Sequence, residues 1–168
     1  MMVAPTRTEP SVPQAALETE LTGQSMGGGL RLLVASSPED AARADRDLRQ
    51  VAGRIDAWAR RLTRFSRTSD LAHLNADADR SPVALRPTIA SVLSHARDMS
   101  RATDGVVEVA MLDARIAAEA EEWSMPTRRA AWQLTGEGRQ PVLIRDGRVR
   151  FDLDGVAKGW IADRALRL

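Results

Sequence analysis

The 168-residue sequence contains no cysteine, only two histidines and a single lysine. Without cysteine there is no disulfide framework, no thiolate nucleophile, no cysteine-ligated zinc and no lipid-bearing cysteine near the N-terminus. His73 and His95 are too few and too far apart in the chain to suggest a histidine-rich metal site. No apolar run approaches the ~20 residues of a transmembrane segment. Met1 to Thr22 also lacks the basic start and apolar stretch of a secretory signal, so by sequence the chain is expected in the cytoplasm. Charge of one sign is missing as well. With 24 basic against 23 acidic residues the net charge is +1, which gives no general attraction to nucleic acid. An arginine-rich nucleic-acid module would have only its arginine count behind it.

The remaining composition, 43% apolar and 28% charged, is that of a globular domain long enough to bury a core. Residues 1–20 carry Pro5, Pro10 and Pro13 among polar side chains and read as a disordered or extended leader, with the domain proper over 21–168. Leu30 to Ala35 reads as a strand after the flexible run Gly27-Gly28-Gly29. Ser37 then suits an N-cap and Pro38 a first helical position. Ala44, Leu48, Val51, Ile55, Trp58 and Leu62 follow at alternating spacings of four and three, one apolar helical stripe facing a core. A polar turn from Arg64 to Leu71 leads into a short helix through Asn75. A second amphipathic helix is expected from Pro87 to Ala102, with Ile89, Val92, Leu93, Ala96 and Met99 inward, stopping at Gly105.

Val106 to Met111 suggests a strand or extended loop, and Leu112 to Trp123 a helix; Trp123 to Gly138 shows no clear pattern. Pro141 to Arg145 and Arg148 to Leu153 flank Asp146-Gly147, which predicts a tight β-hairpin. Lys158 to Leu168, with Ile161, Ala165 and Leu168 on one side, predicts a last helix that runs to the end of the sequence. Helices mixed with a mainly antiparallel sheet make the class α+β.

The single lysine lies in Phe151-Asp152-Leu153-Asp154-Gly155-Val156-Ala157-Lys158-Gly159-Trp160. A strand bearing a carboxylate, a glycine turn and a helix start bearing an ammonium would suit a phosphate or pyrophosphate, with Asp152 and Lys158 able to face one ligand. A surface turn with a solvated lysine is the plain alternative. This segment resembles the "DLGGIAKG" motif of the ApbE family, the FAD:protein FMN transferases, with Asp163 as the downstream aspartate. Three further blocks occur in the family's order. Met26-Gly27-Gly28 before a strand is similar to "MGT". Leu62 to Asn75 is similar to "LSRFRPDSDLSRLN", and Ser100 to Gly105 to "S-x-x-TDG".

The resemblance implies an ApbE-like, T-fold-related α+β fold of antiparallel sheet flanked by amphipathic helices, truncated on its C-terminal side. It covers nearly all of this chain but only about the first half to two-thirds of a typical family member. It implies FAD as substrate, magnesium as metal, and an acceptor protein whose threonine hydroxyl takes FMN from FAD as AMP leaves. Met26 would touch the flavin end and Phe65 would lie beside it. Val106, Val107 and Glu108 would line the FAD site at the "AFD" positions. Asp152 and Lys158 match FAD-contacting positions and would carry the catalytic charge stabilisation, and the Gly155 carbonyl would ligate magnesium.

Two departures stand out: "TDGAFDPTV" becomes Thr103-Asp104-Gly105-Val106-Val107-Glu108-Val109-Ala110-Met111, and Gly28 replaces the threonine of "MGT". Outside the resemblance, Met26 would be a core filler, Phe65 a hydrophobic plug, Val106 and Val107 buried strand residues, and Glu108 a solvated carboxylate. The family's C-terminal half, with its late metal ligands, has no counterpart in the sequence, so the rival expectation is a non-catalytic flavin-binding remnant.

Overall fold

A computed structural model describes residues 17–121, 131–136 and 141–168. Residues 1–16 of the expected leader lie outside that set, but Leu17 to Glu20 are already ordered as half of a strand. Strands β1 (Leu17–Ser25) and β2 (Gly28–Ser36) form an antiparallel hairpin running from Leu17↔Ser36 to Ser25↔Gly28. Its two-residue turn is Met26-Gly27, with φ of 49° and 72°. Positive φ at both positions is the type I′ geometry that matches strand twist, and glycine takes it without a Cβ clash. Gly28 and Gly29 therefore belong to β2, not to a flexible loop. Periodicity missed β1 because none of its residues is buried; pairing with β2 orders it.

Ser37 does not cap the first long helix directly. Pro38–Asp40 forms one 3-10 turn, the Ser37 hydroxyl donates to the Asp40 carboxylate (2.8 Å), and α1 follows over Ala41–Leu62. The predicted stripe faces inward: Ala44, Leu48, Ile55 and Leu62 are buried, while Val51 and Trp58 pack at the edge of the core. Helix α2 (Asp70–Ala76) is capped by Ser69, whose Oγ accepts from the Ala72 N–H (2.9 Å) and donates to the Thr63 carbonyl (2.6 Å). Helix α3 (Pro87–Ala102) buries Ile89, Val92, Leu93 and Ala96 as expected. Met99 is an exception at 36% exposure, because no residue of α3 after Ala96 is buried. Gly105 stops the chain's helical course with φ of 80°.

Val106 to Met111 is a loop, and α4 is shorter than expected, Leu112–Glu119. Trp123 lies outside the described residues. The second sheet contains β3 (Val83–Ala84), β4 (Trp132–Thr135) and β5 (Val142–Arg145) in the order β3-β5-β4, all antiparallel. The tight hairpin predicted around Asp146-Gly147 does not form. Both edges of β5 are already taken by β3 and β4, so residues 148–153 are carried away from it. They are held elsewhere: Val149 N–H donates to Ala78 O (3.3 Å) and Asp152 N–H to Val109 O (2.8 Å). Arg145 adds a buried strap, its guanidinium donating to the carbonyls of Val149 (2.9 Å) and Leu74 (3.3 Å).

Helix α5 runs Asp154–Ala165, starting before Lys158 and ending before Leu168, which is exposed rather than part of an inward stripe. Leu71, Val92, Leu93, Leu143, Phe151, Leu153 and Ala157 are almost completely buried between α1, α2, α3, β5 and α5. Each large apolar side chain so buried stabilises the fold by about 1.5–3 kcal/mol. Trp132 meets Phe151 edge-on at 5.3 Å, and Trp58 meets Trp160 at 5.7 Å. The class is α+β, with two small antiparallel sheets in place of one. Among the described residues no helix is long and apolar enough to cross a membrane.

Candidate functional site

The segment before α5 is positioned by one buried side chain. Asn75, at the end of α2, accepts from the Phe151 N–H and donates to the Phe151 carbonyl, both at 2.8 Å. Its amide thus does for Phe151 what a neighbouring strand would do. The next residue, Asp152, is 7% exposed, and its Oδ1 accepts from the Asp154 N–H (3.0 Å) at the head of α5. A carboxylate there satisfies an orphan helix donor and complements the positive end of the dipole. Its Oδ2 faces Arg64 Nε at 3.8 Å.

Arg64 ties this region to α4. It donates to the Glu119 carboxylate, stacks 4.2 Å over the Phe65 ring, and its side chain is only 16% exposed. Arg115 donates to the same Glu119 oxygen (3.1 Å) and lies 3.9 Å from Asp154 Oδ2. Lys158 Nζ in turn lies 3.4 Å from Asp154 Oδ1. Cations and carboxylates therefore alternate from Asp152 through Arg64, Glu119, Arg115 and Asp154 to Lys158. The Arg64 bond, and after it the Arg115 bond, lower the pKa of Glu119 below its ordinary value. The bond to Glu119, followed by the charge of Asp152, raises that of Arg115.

The residues singled out in the sequence fall into two groups. Met26 and Lys158 line one groove of about 1050 Å³, bounded by β2, α1 and α5, with Leu48, Val51 and Ile161 on its apolar wall. That is at the upper end of the ~300–1,000 Å³ usual for small-molecule sites. Asp152 does not line it, since its carboxylate is turned to its own helix and to Arg64. Asp152 instead joins Phe65, through Arg64, and the 103–111 loop, through the Val109 carbonyl.

Phe65 is 79% exposed and Val106 86% exposed, so neither a plug nor a buried strand describes them. Val107 packs against the core, and its N–H donates to Thr103 Oγ1 (3.1 Å). The Glu108 carboxylate is not simply solvated: it accepts from the N–H groups of Val109 (2.7 Å) and Ala110 (2.8 Å) and fixes the loop. Gly155 is exposed inside the first turn of α5, not in a turn before it. Among the described residues no group of three or more His, Asp or Glu side chains could hold a metal.

Sequence reasoning missed Asn75, Arg64, Arg115 and Glu119 as site-building residues. For Asn75 and Arg64 the signal was their place in the Leu62 to Asn75 block. Arg115 and Glu119, four apart on a short helix, look like any surface ion pair until α4 is docked.

A family model described as the ApbE family matches residues 26–168. This chain belongs to the ApbE family. Its fold is similar to the ApbE protein of Thermotoga maritima, with TM-score 0.70 and 17% identity over 90% of this chain and 52% of that one. The flavin transferase ApbE of Vibrio cholerae gives TM-score 0.66 and 18% identity over 91% of this chain and 53% of that one. The apo form of the flavinyl transferase ApbE of Pseudomonas stutzeri gives 0.67 and 15%, over 90% and 52%. The chain thus spans about half the length of these ApbE structures. None of the curated proteins matches the sequence.

Proposed function

We propose that this chain carries the FAD-binding part of a flavin transferase, which moves FMN from FAD to a threonine hydroxyl of an acceptor protein and releases AMP. The observation that carries this reading is the head of α5. A buried carboxylate caps the helix, and the only lysine stands one turn later on the wall of a groove that also presents Met26. In the reaction the threonine oxygen bonds to the FMN-side phosphorus as the bond from that phosphorus to the AMP oxygen breaks. The negative charge that develops on the phosphates is met by the Lys158 ammonium and by the positive end of the α5 dipole. Asp152 acts through position, holding the first turn of α5 and Arg64 in place. Met26 stands on the wall of that groove, while Glu108 fixes the 103–111 loop and the exposed ring of Phe65 offers a separate apolar surface for the flavin nucleotide.

The residues described do not by themselves make a magnesium site. Gly155 lies within α5, where its carbonyl belongs to the helix ladder. The carboxylates needed for a hard divalent cation would come from outside the described residues. The same observation favours a second reading for this chain on its own, a flavin-binding but non-catalytic module.

The experiment is incubation with FAD, magnesium and an acceptor protein, following yellow retention on the protein, AMP release and acceptor flavinylation separately. FAD retention with AMP and flavinylated acceptor supports the transferase. Retention without AMP supports the binding module. Absence of all three overturns both.

A further inference from the structure

Glu119 stands where an anion is expected and belongs to neither the groove nor the motif. It is the last residue of α4, its side chain is 44% exposed, and one of its oxygens accepts from both Arg64 and Arg115. These guanidinium groups come from different elements. Each also reaches the acidic head of α5, Arg64 at Asp152 (3.8 Å) and Arg115 at Asp154 (3.9 Å). Arg64 is held in advance by its mostly buried stem and by the ring of Phe65 beneath it. Two guanidinium forks converging on one oxygen form the arrangement that recognises phosphate oxygens, which accept such forks bidentately.

We propose that Arg64 and Arg115 form a clamp for a diphosphate group, and that Glu119 is its internal occupant, displaced when the diphosphate binds. The inference rests on the flavin-nucleotide reading above for the identity of the ligand, FAD carrying such a group. Glu119 is suited to leave. Only Leu112 of α4 is buried, and rotation of the Glu119 side chain returns its carboxylate to water without opening the core. With Glu119 withdrawn, the charged partners of Arg64, Arg115 and Lys158 among the described residues are Asp152 and Asp154, an excess of one positive charge at the head of α5. The exposed face of Phe65 beside the clamp then offers a surface for the planar part of the ligand.

The test measures binding of inorganic pyrophosphate, and separately of FAD, by titration calorimetry at low ionic strength. The proteins are the full chain, Glu119→Gln, Arg115→Met and Arg64→Met. Removing the internal charge while keeping its shape should tighten pyrophosphate binding by about tenfold, the size of one charge-assisted hydrogen bond; Arg115→Met should weaken it at least as much. Arg64 is the more buried partner, so Arg115→Met keeps the test valid if Arg64→Met fails to fold. Unchanged, weaker or undetectable pyrophosphate binding in Glu119→Gln overturns the clamp. Pyrophosphate binding that tightens while FAD does not bind sustains the clamp and removes the flavin reading. FAD binding unaffected by all three substitutions does the reverse.

Discussion

Replacing Asn75 with alanine tests how the α5 motif is held. The amide of Asn75 makes two hydrogen bonds to the main chain of Phe151, both at 2.8 Å, and Phe151 itself is completely buried. Alanine leaves the Phe151 N–H and carbonyl without partners in a dry site. Each orphaned group costs about 1–3 kcal/mol, so a total of about 2–6 kcal/mol is expected, against a typical domain stability of about 5–15 kcal/mol. A loss of about 3 kcal/mol lowers Tm by about 6–12 °C in a chain of this size. Asn75→Asp keeps an acceptor for the N–H but sets a carboxylate against the Phe151 carbonyl, so it should be no better tolerated than alanine. Urea denaturation followed by tryptophan fluorescence is the assay, because Trp132 packs edge-on against Phe151 and reports that segment directly. A change below about 0.5 kcal/mol for Asn75→Ala, the range of an ordinary surface substitution, would refute the reasoning. Residues 148–153 would then be held by Ala78, Val109 and Arg145 without help from Asn75.

Leu93→Ala, at a position with no exposure, should destabilise the chain by about 2–5 kcal/mol in the same denaturation experiment. A loss under 1 kcal/mol, on the order of a single methylene, would mean that the site collapses around the smaller residue. Gly27→Val forces a branched side chain into the left-handed half of the β1–β2 turn, where φ is 72°, and should cost about 1–2 kcal/mol; an unchanged midpoint counts against the type I′ assignment. Glu119 titrates below its ordinary value of 4.5 in the folded chain, first because of Arg64 and then of Arg115. Its contribution is therefore present above that value and is lost as pH falls through the lower folded one. The difference in Tm between the wild type and Glu119→Gln should be constant near neutrality and close in acid. A difference that does not narrow in acid contradicts the double hydrogen bond.

Local order in the sequence determined a good deal. The stripe from Ala44 to Leu62 and the inward face of α3 are legible because helical periodicity is written in consecutive turns and needs no partner. Gly105 as a stop follows from single-residue chemistry in the same way, whereas Ser69, read only as part of a polar turn, emerges as a cap in the folded chain. The motif around Lys158 was legible because its residue types lie within one short segment.

What the sequence left open involves partners distant in the chain. β1 has no buried residue, so only its pairing with β2 makes it a strand. Asp146-Gly147 carries a strong hairpin signal, yet β3 and β4 already fill both edges of β5, and a strand has only two. Asp152 looked like a ligand-facing carboxylate until α5 began at Asp154 and drew it in as a cap. Arg64, Arg115 and Glu119 became one cluster only because α4 docks beside the head of α5. Short-range pattern decides where helices form; which edges are free and which charges meet is decided by how the elements pack.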